Sequence, residues 1–97
     1  SLVLENVLAA FPGWRAYFFR TSAGAELDLV LEKGKRRIAV ECKASSAPTV
    51  TRGFWSAVED LRIGEAWVVA PIASAFPLSP GVEAVPLGDF LARGPRR

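Results

Sequence analysis

Apolar residues return at helical spacing from the start of the chain: Leu4, Val7, Leu8 and Phe11 share one helix face, and Pro12–Gly13 stops it. The aromatic stretch from Trp14 to Thr21 fits a strand, and Thr21–Gly24 is a turn cluster in which Gly24 serves the bend. From Glu26 the period changes to two. Leu27, Leu29 and Leu31 alternate with Glu26, Asp28 and Glu32; after Gly34–Lys35, Ile38, Val40 and Cys42 alternate with Arg37, Ala39, Glu41 and Lys43. These are the two strands of a hairpin. Ser45–Thr51 is a loop able to cap a helix over about 52–61, with Phe54, Val58 and Leu61 as its apolar stripe. Glu65–Pro71 reads as a strand covered on both faces, Val82–Val85 as a short last strand, and Pro86–Arg93 as a closing helical turn before a frayed tail at 94–97. The expected order is α-β-β-β-α-β-β-α: one α/β domain over residues 1–97, with a mixed sheet flanked by helices.

A two-residue loop with Gly first suits a type II′ turn, so Lys33 faces Arg36. Counting back, Glu32 faces Arg37, Asp28 faces Glu41 and Glu26 faces Lys43; a turn one residue longer would shift every pair. In this register Glu26, Asp28, Glu41 and Lys43 share one face, and Leu27, Leu29, Leu31, Ile38, Val40 and Cys42 share the core face. Like charges facing each other destabilise a strand pair by roughly 0.2–1 kcal/mol. A hairpin needing only stability would avoid Asp28 opposite Glu41.

Composition narrows the chemistry. The chain has 97 residues, one Cys and no His, which excludes disulfides, His-based acid–base catalysis and Cys/His zinc sites. A lone Cys fits a reducing, cytoplasmic setting. No apolar run is long enough to span a bilayer, so no membrane partner is expected. The net charge of +2 does not argue nucleic-acid binding; the basic residues instead gather at Lys33, Lys35, Arg36 and Arg37 and at Arg93, Arg96 and Arg97, as solvated turns and tails do. No GxxxxGK[ST] loop is present for binding ATP. The helical pattern starts at once, without leader or initiating Met, and reads as a domain excised from a longer protein.

What remains is oxygen chemistry. Two carboxylates converging from adjacent strands suit Mg²⁺, which takes one or two carboxylates and keeps waters for a substrate's phosphates. Lys43, two residues beyond Glu41, is placed to steady charge developing on a phosphate. The competing reading is a solvent-facing hairpin tied by Glu26–Lys43 and Glu32–Arg37 salt bridges. Among the aromatics, Trp67 reads as core and Trp55 as a candidate surface residue. Arg15, Arg20 and Arg52 are candidate phosphate contacts.

The series Leu4-Glu5-Asn6 on a helix, Tyr17–Thr21 on an aromatic strand, Gly24–Asp28 and Glu41–Ala44 resembles the PD-(D/E)xK nuclease superfamily over nearly the whole chain. Within it, the sequence is similar to the C-terminal domain of bacterial and archaeal AAA-type ATPases. The resemblance implies a restriction-endonuclease-like αβββαβ core. It implies metal ligation by Asp28, Glu41 and the peptide oxygen of Cys42, with Lys43 positioning or activating the attacking water. Glu5 matches a helix glutamate that assists the metal, and the Cys42 side chain is a small core residue. The sequence departs from the pattern in having Leu27, not proline, before Asp28, and in offering only Arg52, Ser56 and Glu59 on the following helix.

The expected activity is a Mg²⁺- or Mn²⁺-dependent phosphodiesterase acting on DNA, with RNA second, attached to the ATPase region of its parent chain. Oligomer formation is compatible with it. The alternative is an inactive nuclease-like module that binds nucleic acid or a partner protein and regulates the ATPase.

Overall fold

The computed structural model describes residues 1–96. The elements are α1 (Leu2–Ala10), β1 (Arg15–Arg20), β2 (Glu26–Lys33), β3 (Arg36–Cys42), α2 (Arg52–Asp60), β4 (Glu65–Val69), β5 (Phe76–Ser79), β6 (Val82–Val85) and α3 (Leu87–Arg93). One six-stranded mixed sheet runs in the order β1-β2-β3-β4-β6-β5. Strands β3, β4 and β6 are mutually parallel, and the remaining neighbours are antiparallel. The expected α/β class and mixed sheet are therefore present, with one strand more than the pattern indicated. That strand is β5, whose Pro77 removes a ladder donor and makes the run read as loop; it lies at the sheet edge, where proline is tolerated.

Helices cover both faces. Val7 of α1, Phe11 just after it and Phe90 of α3 pack on Leu29, Leu31, Ile38 and Val40. Phe54 and Ala57 of α2 pack on Leu27, Val30, Ala39 and Val68 on the other side. Both helices with a hydroxyl cap start where the sequence supplies it: Ser1 Oγ accepts from the Leu4 N–H and Thr51 Oγ1 from the Phe54 N–H, each at 3.2 Å. The N-terminal end of α2 is pressed against the turn before β2, since a Cβ on Gly53 would collide with the Gly24 carbonyl oxygen.

The hairpin has the expected register, with Lys33↔Arg36, Glu32↔Arg37, Leu31↔Ile38, Val30↔Ala39 and Leu29↔Val40. Gly34 takes a φ of 62°, as the first position of a type II′ turn requires.

Three expectations on faces and termini are corrected. Leu27 does not share a face with Leu29 and Leu31. On the β1 side Tyr17 pairs with Val30 but Phe19 pairs with Leu27, so Asp28 and Leu29 together oppose Phe18. This β-bulge reverses the alternation and sends Leu27 to the α2 side. Leu8, placed on the buried stripe of α1, is 43% exposed, while Val7 is fully buried. The tail at 94–96 is docked rather than frayed: Pro95 is buried, and the Arg96 carbonyl accepts from Arg36 Nη1. Arg97 lies outside the described residues.

Candidate functional site

The β2–β3 ladder ends at Leu29↔Val40. Beyond it the two carboxylates take over as acceptors for the main chain. The Asp28 N–H donates to Glu41 Oε1 at 2.6 Å, and the Cys42 N–H donates to Asp28 Oδ2 at 2.9 Å. The expected juxtaposition of Asp28 and Glu41 is thus present, as a reciprocal clamp. It stands at the carboxyl end of β3, level with the carboxyl ends of β4 and β6, where ligands collect in open α/β sheets.

Glu41 is the one buried charged residue among the described residues, at 7% exposure. Burial pushes its pKa up to about 7; the negative charges of Asp28 and Glu26 act in the same direction, against the Asp28 N–H and the Lys43 ammonium. Lys43 Nζ lies 3.9 Å from Glu41 Oε2, and the Lys43 N–H bonds the Val69 carbonyl, fixing it at the end of the β3–β4 pair. Burial, then the charges of Asp28 and Glu41, push the Cys42 thiol up to about 11, so it stays protonated and is no nucleophile.

The other expected residues are not drawn into this cluster. Glu5 is exposed on α1 and has no hydrogen bond or ion pair with Asp28, Glu41 or Lys43. Arg20 pairs with Glu26 at 3.1 Å, one strand away from Asp28. Arg52 is exposed at the start of α2, and no ion pair forms with it among the described residues. The expected Glu26–Lys43 bridge is absent, since their carboxylate and ammonium pair with Arg20 and Glu41 instead. The expected Glu32–Arg37 bridge forms at 2.8 Å, and Glu32 also accepts from Tyr17 and Arg15. The basic turn lies at the far end of the hairpin, about 17 Å from Asp28 at the usual strand rise. There Arg36 bonds Glu65, and the cations of Lys33 and Arg36 lie over the Trp14 ring.

Two cavities open at opposite ends of the sheet, one of them beside the site. The larger, about 680 Å³, opens at the other end of the sheet between Gly64 and Gly81 and carries Glu65 and Glu83, a poor setting for phosphate. The smaller, about 350 Å³, opens at the carboxyl ends of β3, β4 and β6, and Lys43 forms part of its wall. Val3, Ala44, Pro71, Ile72, Pro86 and Leu87 complete much of that wall. Sequence reasoning missed them because they are scattered; the available signal was that Ala44, Pro71 and Pro86 each follow a strand end. Phe18, 71% exposed on edge strand β1 opposite the bulge, was also missed in favour of Trp55, which is 39% exposed. Trp67 is only partly buried, packed edge-on against Phe90.

Two carboxylates and a lysine, gathered where the amino end of β2 meets the carboxyl end of β3, define a small α/β domain built around an acidic, lysine-flanked site. The chain belongs to the family described as "Domain of unknown function (DUF4143)", whose model matches residues 1–90. It is 38% identical, over 94 residues, to Uncharacterized protein Mb2031c of Mycobacterium bovis and to Uncharacterized protein Rv2008c of Mycobacterium tuberculosis. The match takes in 97% of this chain but 21% of each relative, so the chain spans about a fifth of the curated proteins it matches. No solved structure matches it. Among the described residues no helix is long and apolar enough to cross a membrane.

Proposed function

We propose that the domain is a Mg²⁺- or Mn²⁺-dependent phosphodiesterase acting on DNA, with a restriction-endonuclease-like core, carried as the C-terminal domain of a cytoplasmic AAA-type ATPase. The observation that carries this reading is the convergence of Asp28, a buried Glu41 and Lys43 at one strand end. The donor set fits a hard divalent cation in number and type. Among the described residues, Glu41 Oε2 has no hydrogen bond and only a 3.9 Å ion pair, and Asp28 Oδ1 has no hydrogen-bond partner. A carboxylate whose pKa is raised by burial and a second negative charge is one that a cation would return to its ionised form. Among the described residues no group of three or more His, Cys, Asp and Glu could hold a metal ion, so Asp28 and Glu41 would share it with water and with the Cys42 peptide oxygen.

When bound, the cation supplies Lewis acidity toward a phosphate oxygen. The chain's own part is to hold the two carboxylates rigid through main-chain N–H groups and to present the Lys43 ammonium to the phosphate. Glu5, the helix carboxylate that would assist the cation, is exposed on α1.

Thermal unfolding with and without Mg²⁺ and Mn²⁺, together with cleavage of duplex, single-stranded and branched DNA, tests the reading. Cation at ten times its dissociation constant should stabilise the native chain by roughly 1.4 kcal/mol, and Asp28→Asn should abolish that response and all cleavage. No cation response and no cleavage would sink it.

A second reading has its own support. The basic cluster is engaged in pairs far from the carboxylates, and both carboxylates bond the main chain, as they would in a silent descendant of a nuclease. The domain would then bind nucleic acid or a partner protein and regulate the ATPase.

A further inference from the structure

The 350 Å³ cavity beside Lys43 has no part in holding a metal, and its chemistry differs from that of the carboxylate pair. Its wall is aliphatic except at Lys43, and two of its residues, Pro71 and Pro86, have no N–H. Its volume sits at the low end of the ligand-pocket range of about 300–1,000 Å³, with room for a flat ring system. Lys43 belongs both to this wall and to the ion pair with Glu41. A phosphate held at the pair therefore has its own nucleoside's nearest apolar shelter in this cavity. Enzymes that take a base out of the stack hold it between apolar side chains in this way, and a base inside a continuous helix has no access to such a pocket.

We propose that the cavity lodges the base adjoining a phosphate held by Lys43 and by the cation that Asp28 and Glu41 would bind, so that the domain selects unpaired nucleotides: single strands, flaps or frayed ends. The assignment of the phosphate rests on the phosphodiesterase reading. Apart from Lys43, no lining side chain carries a hydrogen-bond donor or acceptor, so the pocket takes all four bases. Continuous duplex is excluded by pairing, not by sequence. The larger cavity, walled by Glu65 and Glu83 with no lysine or arginine in its lining, offers the same ligand no cation.

Two substitutions fill the cavity from its rim: Ala44→Phe, at an exposed position, and Ile72→Phe in the loop after β4. Binding is followed with oligonucleotides carrying 2-aminopurine, single-stranded or within a blunt duplex, in Ca²⁺ to separate binding from cleavage; cleavage is then scored in Mg²⁺. The native chain should bind the single strand at least tenfold tighter than the duplex, with a change in 2-aminopurine fluorescence. Either filling variant that keeps the native melting temperature should lose both the preference and the fluorescence change. Equal binding of duplex and single strand, no binding of either, or filled variants that bind as the native chain does, would overturn the proposal. Loss of single-strand binding in the filled variants with no cleavage under any condition would uphold the pocket and sink the catalytic reading. Cleavage that is indifferent to filling would do the reverse.

Discussion

Asp28 and Glu41 carry like charges yet are joined through the main chain: the N–H of Asp28 bonds the Glu41 carboxylate at 2.6 Å, and the Asp28 carboxylate bonds the N–H following Glu41 at 2.9 Å. The pair is therefore both an electrostatic liability and a fastening for strand ends where the regular ladder stops. Substitutions separate the two roles. Asp28→Asn keeps an oxygen for the Cys42 N–H while removing one of two repelling charges, and should leave stability unchanged or slightly raised without metal. Asp28→Ala leaves that N–H without its acceptor and should cost about 1–2 kcal/mol. Urea unfolding of both variants without divalent cations checks the difference; equal stabilities would mean the clamp contributes nothing.

The raised pKa of Glu41 fixes a pH dependence. The folded chain holds its proton up to about pH 7, whereas an unfolded chain releases it near the ordinary glutamate value of 4.5. Between these values the folded state binds more protons, so stability falls as pH rises through this window, by roughly 3 kcal/mol at most for a shift of this size. Glu41→Gln should flatten that slope. Denaturation measured from pH 4.5 to 7.5 on both proteins would show it, and parallel curves would mean that Glu41 titrates normally.

The close approach of α2 to the turn before β2 depends on a missing side chain. Gly53→Ala places a methyl into the Gly24 carbonyl and should destabilise by about 1–3 kcal/mol, as overpacking does. Gly64→Ala, where nothing lies within 4 Å of the added carbon, is the matched control and should be neutral. Thermal melts of the two variants give the comparison directly.

Aromatic residues divide sharply. Phe90, fully buried and in ring contact with Phe11 and Trp67, should cost about 3–5 kcal/mol on truncation to Ala. Phe18→Ala, at an exposed edge-strand position, should stay within about 0.5 kcal/mol. A chemical-denaturation midpoint for each variant distinguishes them.

Much of this arrangement is legible in the residues because local rules decide it. Gly34 is the only residue of its turn at positive φ, so the loop length, and with it the pairing from Lys33 to Leu29, follows from one glycine. The facing of Asp28 and Glu41 follows from the same count. The bulge does not: Val30, apolar among the polar positions Glu26, Asp28 and Glu32, is the one break in the alternation and does not say where the pairing shifts; the interruption comes from pairing with β1, a non-local contact. β5 is hidden by Pro77, whose edge position only the tertiary fold reveals. The partners of Glu26 and Lys43 were mistaken because the ladder ends one pair before Asp28 and Glu41, leaving both side chains free to turn elsewhere. Glu5 rested on likeness, Arg20 and Arg52 on residue type alone, and no local rule fixes where an exposed side chain reaches.

The bulge at Asp28–Leu29 also sets how the domain tolerates changes in chain length. Removing one residue from this step would leave a single residue between Leu27 and Val30, the regular spacing of a strand, so both would stay packed against Phe54 and Ala57. The inserted position therefore serves the acidic site and not the seating of α2. Deleting Asp28 would take away the carboxylate that the Cys42 N–H bonds while leaving Leu27, Leu29 and Val30 on their present faces.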